Sequence, residues 1–151
     1  MADSVTRPDL DVGPAAEHDP AMHLAHIALL VPDYDEALAY YVGRLGFTLV
    51  EDMAQPEQGK RWVTIRPPGA APDATTILLA RAATPEQARF VGDQAGGRVF
   101  LFLHTDDFAR DHARLTKAGV EWVRPPAVHA YGTVAVFRDL HGNLWDLVEP
   151  A

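Results

Sequence analysis

HLAHIALLVPDYDEALAYYVGRLGF, His23 to Phe47, changes its period in the middle. His23–Val31 is a near-continuous apolar run, the pattern of a buried strand, and Pro32 ends it. Asp33, followed three residues later by Glu36, makes a capping-box-like helix start. From there Ala37, Leu38, Tyr41, Val42 and Leu45 recur at helical spacing, and Gly46 is the residue expected just past a helix end. FTLVED reads as a strand, GKRWVTIRPPG holds another closed by its double proline, and ATTILLA is a fourth. The first half is therefore β-α-β-β-β.

The second half repeats this order. RVFLFLHT is a strand, Asp106 can cap the helix in DFARDHARLTKAG, and Gly119 ends that helix. VEWVRP, TVAVFRD and LWDLV are the three strands that follow. Laid on each other, the halves match Val31 with Thr105, Asp33 with Asp107, Gly46 with Gly119, and Ile77-Leu78-Leu79 with Trp145-Asp146-Leu147. A repeat of this length predicts equivalent packed units. Between them Thr84-Pro85-Glu86-Gln87 predicts a short capped helix, and Gly96-Gly97 breaks the chain. The expected organisation is a tail over 1–21, module one over 22–80, a connector over 81–97 and module two over 98–150. The tail holds three prolines and five acidic groups with no apolar periodicity, and His18 within it is read as solvated.

Bulk composition narrows the function. A hydrophobic fraction of 48% in 151 residues suits one packed domain. No run reaches the length of a membrane span and no signal-peptide pattern opens the chain, so a cytoplasmic location and no membrane partner are expected. Without cysteine there is no disulfide, thiol nucleophile or thiolate metal site. A net charge of −8 argues against nucleic acid. No serine nucleophile context, phosphate loop or nucleotide fingerprint is present.

In DLHGNLWDLVEP, Asp139–Pro150, a turn precedes a strand in which Leu144, Asp146 and Val148 share one face. A carboxylate between two apolar residues needs a partner or a cavity. Taken with HIALLVPDYDEALAYYVGRLGF and the paired β-α-β-β-β order, the motif FRDLHGNLWDLVEP resembles the vicinal-oxygen-chelate superfamily of glyoxalases, bleomycin resistance proteins and extradiol dioxygenases over about residues 22–150. The resemblance implies an α+β fold of two tandem modules forming a curved mixed sheet around a pocket, and a homodimer. It also implies four pocket positions that carry metal ligands in metal-dependent relatives, here His26, Leu78, Phe100 and Asp146. Two of these can bind a metal and two cannot, and a catalytic divalent ion usually takes three or more protein ligands. Iron, manganese, zinc or nickel would be held by His26 and Asp146 alone, so no cofactor is assigned.

His26 is then the predicted ionisable neighbour of Asp146. Such a pair can be a structural hydrogen bond, a general acid–base pair or an anchor for a ligand amine or hydroxyl. The expected function is binding of a small apolar or aromatic metabolite or antibiotic. The alternative is a lyase, isomerase or ring-cleaving dioxygenase using His26 and Asp146. Phe100 and Phe102 are candidates to stack on a flat ligand, with core packing expected for at least one. Trp62 shares a face with Thr64 and walls the pocket, unless the opposite face, Arg61, Val63 and Ile65, does so. His104 is a candidate pocket histidine at a strand end, and Tyr131 beside Gly132 a candidate lip. Trp145 is read as core, Trp122 as edge packing, and His141 and His112 as solvent-facing. Arg138 and Asp139 are read as fixing the last hairpin.

Overall fold

The computed structural model describes residues 21–151. The predicted tail, apart from Ala21, and His18 lie outside the described residues. Module one runs β1 (His26–Val31), α1 (Tyr34–Leu38), β2 (Thr48–Gln55), β3 (Lys60–Arg66) and β4 (Thr76–Arg81). A short helix, α2 (Pro85–Ala88), lies in the connector. Module two runs β5 (Val99–His104), α3 (Phe108–Lys117), β6 (Glu121–His129), β7 (Gly132–Arg138) and β8 (Leu144–Pro150).

Each module forms one four-stranded sheet, ordered β1-β4-β3-β2 and β5-β8-β7-β6. The first and last strands of each module pair in parallel, and the remaining neighbours are antiparallel. The helix starts are those of the sequence with one change. Asp33 accepts from the Glu36 amide at 2.8 Å. In module two it is Asp107, not Asp106, that caps, accepting from the Arg110 amide at 3.0 Å. Asp106 instead pairs with the Arg110 guanidinium. The cap thus falls on the residue that the internal repeat matches to Asp33. Helix α1 widens into a π-helical stretch over Ala39–Arg44, with the Leu45 amide bonding back to the Tyr40 carbonyl.

One hydrophobic core joins the modules. Leu29, Val31, Val63, Ile65, Ile77 and Leu79 face it from the first sheet, and Ala135, Phe137, Trp145 and Leu147 from the second. Between them sit Tyr41, Leu45 and Phe47 of module one, with the Tyr41 and Phe47 rings 6.0 and 5.9 Å from Trp145. Trp145 is core, as expected. The opposite face of each sheet, called the front face here, is left for other work.

Candidate functional site

Residues directly opposite in a ladder point to the same side, so register defines the front faces. In the first sheet His26 stands beside Thr76, and Ala28, Leu78, Thr64 and Glu51 form a row. The His26 Nδ1 lies 2.5 Å from the Thr76 hydroxyl, and its ring meets the Trp62 ring edge-on at 5.3 Å. Trp62 and Leu78 line a hollow of about 440 Å3 with Leu30, Ala80 and Arg81. Of the two faces open for β3, Trp62 and Thr64 take the front, while Val63 and Ile65 are core. The Thr64 hydroxyl is buried without a hydrogen-bond partner among the described residues.

In the second sheet the central row is Phe102, Asp146, Val136 and Arg124, across β5, β8, β7 and β6. Strand β6 runs on past Pro125-Pro126 to His129, and its register shifts twice around that dipeptide. Prolines cannot donate to a ladder, so the strand bulges where they fall. Beside this strand is a hollow of about 120 Å3 lined by Arg124, His129, Tyr131, Val134, Val136 and Asp146. The Asp146 Oδ1 is buried there without a hydrogen-bond partner among the described residues. Burial raises the Asp146 pKa above its ordinary value, and the positive charge of Arg124 opposes the shift without an ion pair forming.

That shift has a measurable sign. Burial favours the neutral acid, so as pH rises the unfolded chain ionises before the native one and the native state loses stability. The loss builds between the ordinary carboxylate range and the raised native value, then persists. Asp146→Asn cannot ionise. Thermal unfolding across pH should show the variant gaining on the wild-type protein from low pH to neutral. A constant gap between the two would mean that Asp146 titrates normally.

The chain does not bring His26 and Asp146 together. They lie on different sheets and no hydrogen bond or ion pair joins them; His26 meets Thr76 and Trp62 of its own module, and Asp146 shares its hollow with Arg124 and Val136 of its own. The reason is the shared core: both modules turn their helix-covered faces toward each other, so the two front faces are not opposed. Of Phe100 and Phe102, for which core packing was expected in at least one, it is Phe100 that leaves its expected pocket position. The pairing of β5 with β8 slips between Val99 and Leu101, and Phe100 packs against the core. Phe102 keeps its front position and is 62% exposed. His104 stands at another hollow, of about 210 Å3, between the modules with Leu103 and Arg114. Tyr131 is exposed and stacks on His129, with ring centroids 5.1 Å apart.

Two histidines read as solvent-facing are not. His141 is largely covered, with its Nε2 3.3 Å from Glu36. His112 is sandwiched between Phe108 and Trp122, at 5.5 and 4.3 Å. Arg124 was the missed residue at the site. Its signal was the Arg-Pro-Pro run, which marks a bulged strand rather than a strand end.

The donor set does not fit a catalytic divalent metal. Among the described residues no three His, Cys, Asp or Glu side chains gather in one place. Leu78 offers no donor atom, Phe100 has turned to the core, and the His26 Nδ1 is engaged by Thr76.

Paired β-α-β-β-β modules with a common core and open front faces define an α+β fold of the kind that builds small-molecule pockets. The chain belongs to the Glyoxalase/Bleomycin resistance protein/Dioxygenase superfamily, whose family model matches residues 23–147. It is 59% identical over 126 residues to an uncharacterised protein of Shewanella frigidimarina, covering 83% of this chain and 92% of that one. The solved structure of UcmS2 superposes with a TM-score of 0.73 at 32% identity, over 86% of this chain and 99% of that one. TnmS3, an antibiotic binding protein from Streptomyces sp. CB03234, gives a TM-score of 0.69 at 30% identity, over 89% of this chain and all of its own. No helix among the described residues is long and apolar enough to cross a membrane.

Proposed function

We propose that the protein binds a small apolar or aromatic molecule, a metabolite or an antibiotic, on the front faces of its sheets. The observation that carries this is the character of those faces. They present Trp62, Leu78 and Phe102 beside single polar groups, without a set of metal donors. The likeness to the antibiotic-binding TnmS3 supports it. A homodimer is part of the reading. Met53 and Phe102 are 54% and 62% exposed on the front of the first and second sheet, apolar groups that a second copy would cover. Module one of one copy facing module two of another would cover both and would set His26 opposite Asp146 of the partner subunit.

Two measurements test this. Sedimentation should give a dimer, and Phe102→Asp should shift it toward monomer while leaving the circular dichroism unchanged. A wild-type monomer would remove the shared cavity. Thermal-shift screening against aromatic compounds should find ligands, since one at a hundred times its dissociation constant adds about 2.7 kcal/mol. Absence of any shift across such a set would overturn the binding function.

One observation favours a second reading. Asp146 combines a buried, unpartnered oxygen with a raised pKa, the condition of a carboxyl that transfers protons. A lyase or isomerase would use it directly as acid or base. Asp146→Asn would then abolish turnover of whichever ligand the screen identifies.

A further inference from the structure

The hollow under β6 carries more specific chemistry, which rests on the binding function just proposed. Three observations meet there. The Asp146 Oδ1 is a buried acceptor with no donor among the described residues. Arg124 stands in the same cross-strand row, two strands away, or about 10 Å between backbones by sheet spacing. It makes no hydrogen bond or ion pair among the described residues, although its charge is felt at Asp146. Only the short Val136 side chain lies between them in the row. The flat wall of the hollow is the stacked pair His129 and Tyr131, whose rings are within 9° of parallel.

We propose that this hollow selects a neutral aromatic amide or lactam, whose ring lies over Val134 and Val136 and whose N–H and C=O are held by Asp146 and Arg124. Charge decides the class. An ammonium ligand would be attracted by Asp146 and repelled by Arg124, and a carboxylate would meet the reverse. A neutral group with a donor and an acceptor side by side satisfies both at once, each through a charge-assisted hydrogen bond. Volume agrees, because about 120 Å3 admits one substituted six-membered ring and little more. Desolvating the carboxylate is then offset by a donor that water cannot supply as well in a narrow site.

The test uses benzamide, N,N-dimethylbenzamide and benzoate, titrated at millimolar concentrations into the labelled full chain and followed by the methyl resonances of the valines. Benzamide should shift Val134 and Val136. The dimethyl compound, which has lost the N–H, should bind more weakly by about tenfold, the weight of one charge-assisted hydrogen bond. Benzoate should be no better than the dimethyl compound. Asp146→Leu should abolish the preference for benzamide over its dimethyl derivative, and exposed Arg124→Gln should weaken benzamide without unfolding the protein. Equal binding of the three compounds at Val134 and Val136 would overturn the inference and leave the binding function standing. So would shifts confined to residues around Trp62. If no aromatic compound of any kind binds, both fall together.

Discussion

Replacing Asp139 by alanine should cost the protein about 5 kcal/mol or more, the exceptional class of single substitutions. The carboxylate is 5% exposed and accepts six hydrogen bonds. Its Oδ1 takes the amides of His141, Gly142 and Asn143, at 3.2, 3.0 and 2.9 Å, and so builds the His-Gly-Asn turn. Its Oδ2 takes the Tyr41 hydroxyl at 2.6 Å, the Trp145 indole N–H at 3.0 Å and the Asn143 amide at 3.2 Å. Every partner is a donor, so removal strands several buried donors together, each worth about 1–3 kcal/mol when unsatisfied. Tyr41 belongs to module one, so the same carboxylate ties the modules across the core. Burial and the neighbouring carboxylate push the Tyr41 pKa well above its ordinary value, which keeps the hydroxyl a donor.

Two milder variants separate this reading from simple loss of volume. Asp139→Asn keeps the shape but turns an N–H toward donors, and should still cost several kcal/mol. Tyr41→Phe removes one bond to a charged acceptor and should cost about 1.5–3 kcal/mol. Urea unfolding orders the series. An Asp139→Asn protein as stable as Tyr41→Phe would show that the six bonds do not act together.

How much of this was legible beforehand differs by element. The repeated β-α-β-β-β order and the Asp33 cap follow from local chemistry, so His23–Phe47 could be read residue by residue, whereas adjacent Asp106 and Asp107 offer the same cap chemistry and only the structure separates them. Alternation gave the face of β8 and the two candidate faces of β3, between which the register decides, because neither strand slips in its core stretch. That one of Phe100 and Phe102 packs in the core was expected, but not which, since one slipped pairing reverses a side chain's face and nothing in RVFLFLHT marks it. Register puts His26 and Asp146 on front faces, but whether they meet depends on a relationship between sheets that strand patterns do not encode. Asp139 was read as fixing its hairpin. Its hold on Tyr41, 98 residues away in sequence, is a long-range fact that only packing reveals.

The connector shows the same limit and supplies the second large effect. Gly92→Ala should cost about 3 kcal/mol or more, whereas Gly96→Ala should cost about 1 kcal/mol. Both glycines have positive φ, +75° and +64°, so alanine bears the left-handed penalty at either position. Only at Gly92 is space also lacking. A Cβ there would come within 1.8 Å of the His141 carbonyl oxygen, whereas nothing lies within 4 Å of one at Gly96. Backbone cannot yield as a side-chain tip does, so the connector must lift from the His-Gly-Asn turn. Gln94 would lift with it. Its amide donates to the Asn143 side chain at 3.0 Å, and its side chain accepts from the Leu30 amide at 3.1 Å and donates to the Ala28 carbonyl at 3.3 Å, which covers the free edge of β1. Hydrogen exchange at Leu30 should therefore quicken in Gly92→Ala and stay unchanged in Gly96→Ala. Equal costs at the two glycines, with Leu30 protected in both, would mean that the connector rests on the turn without being held by it.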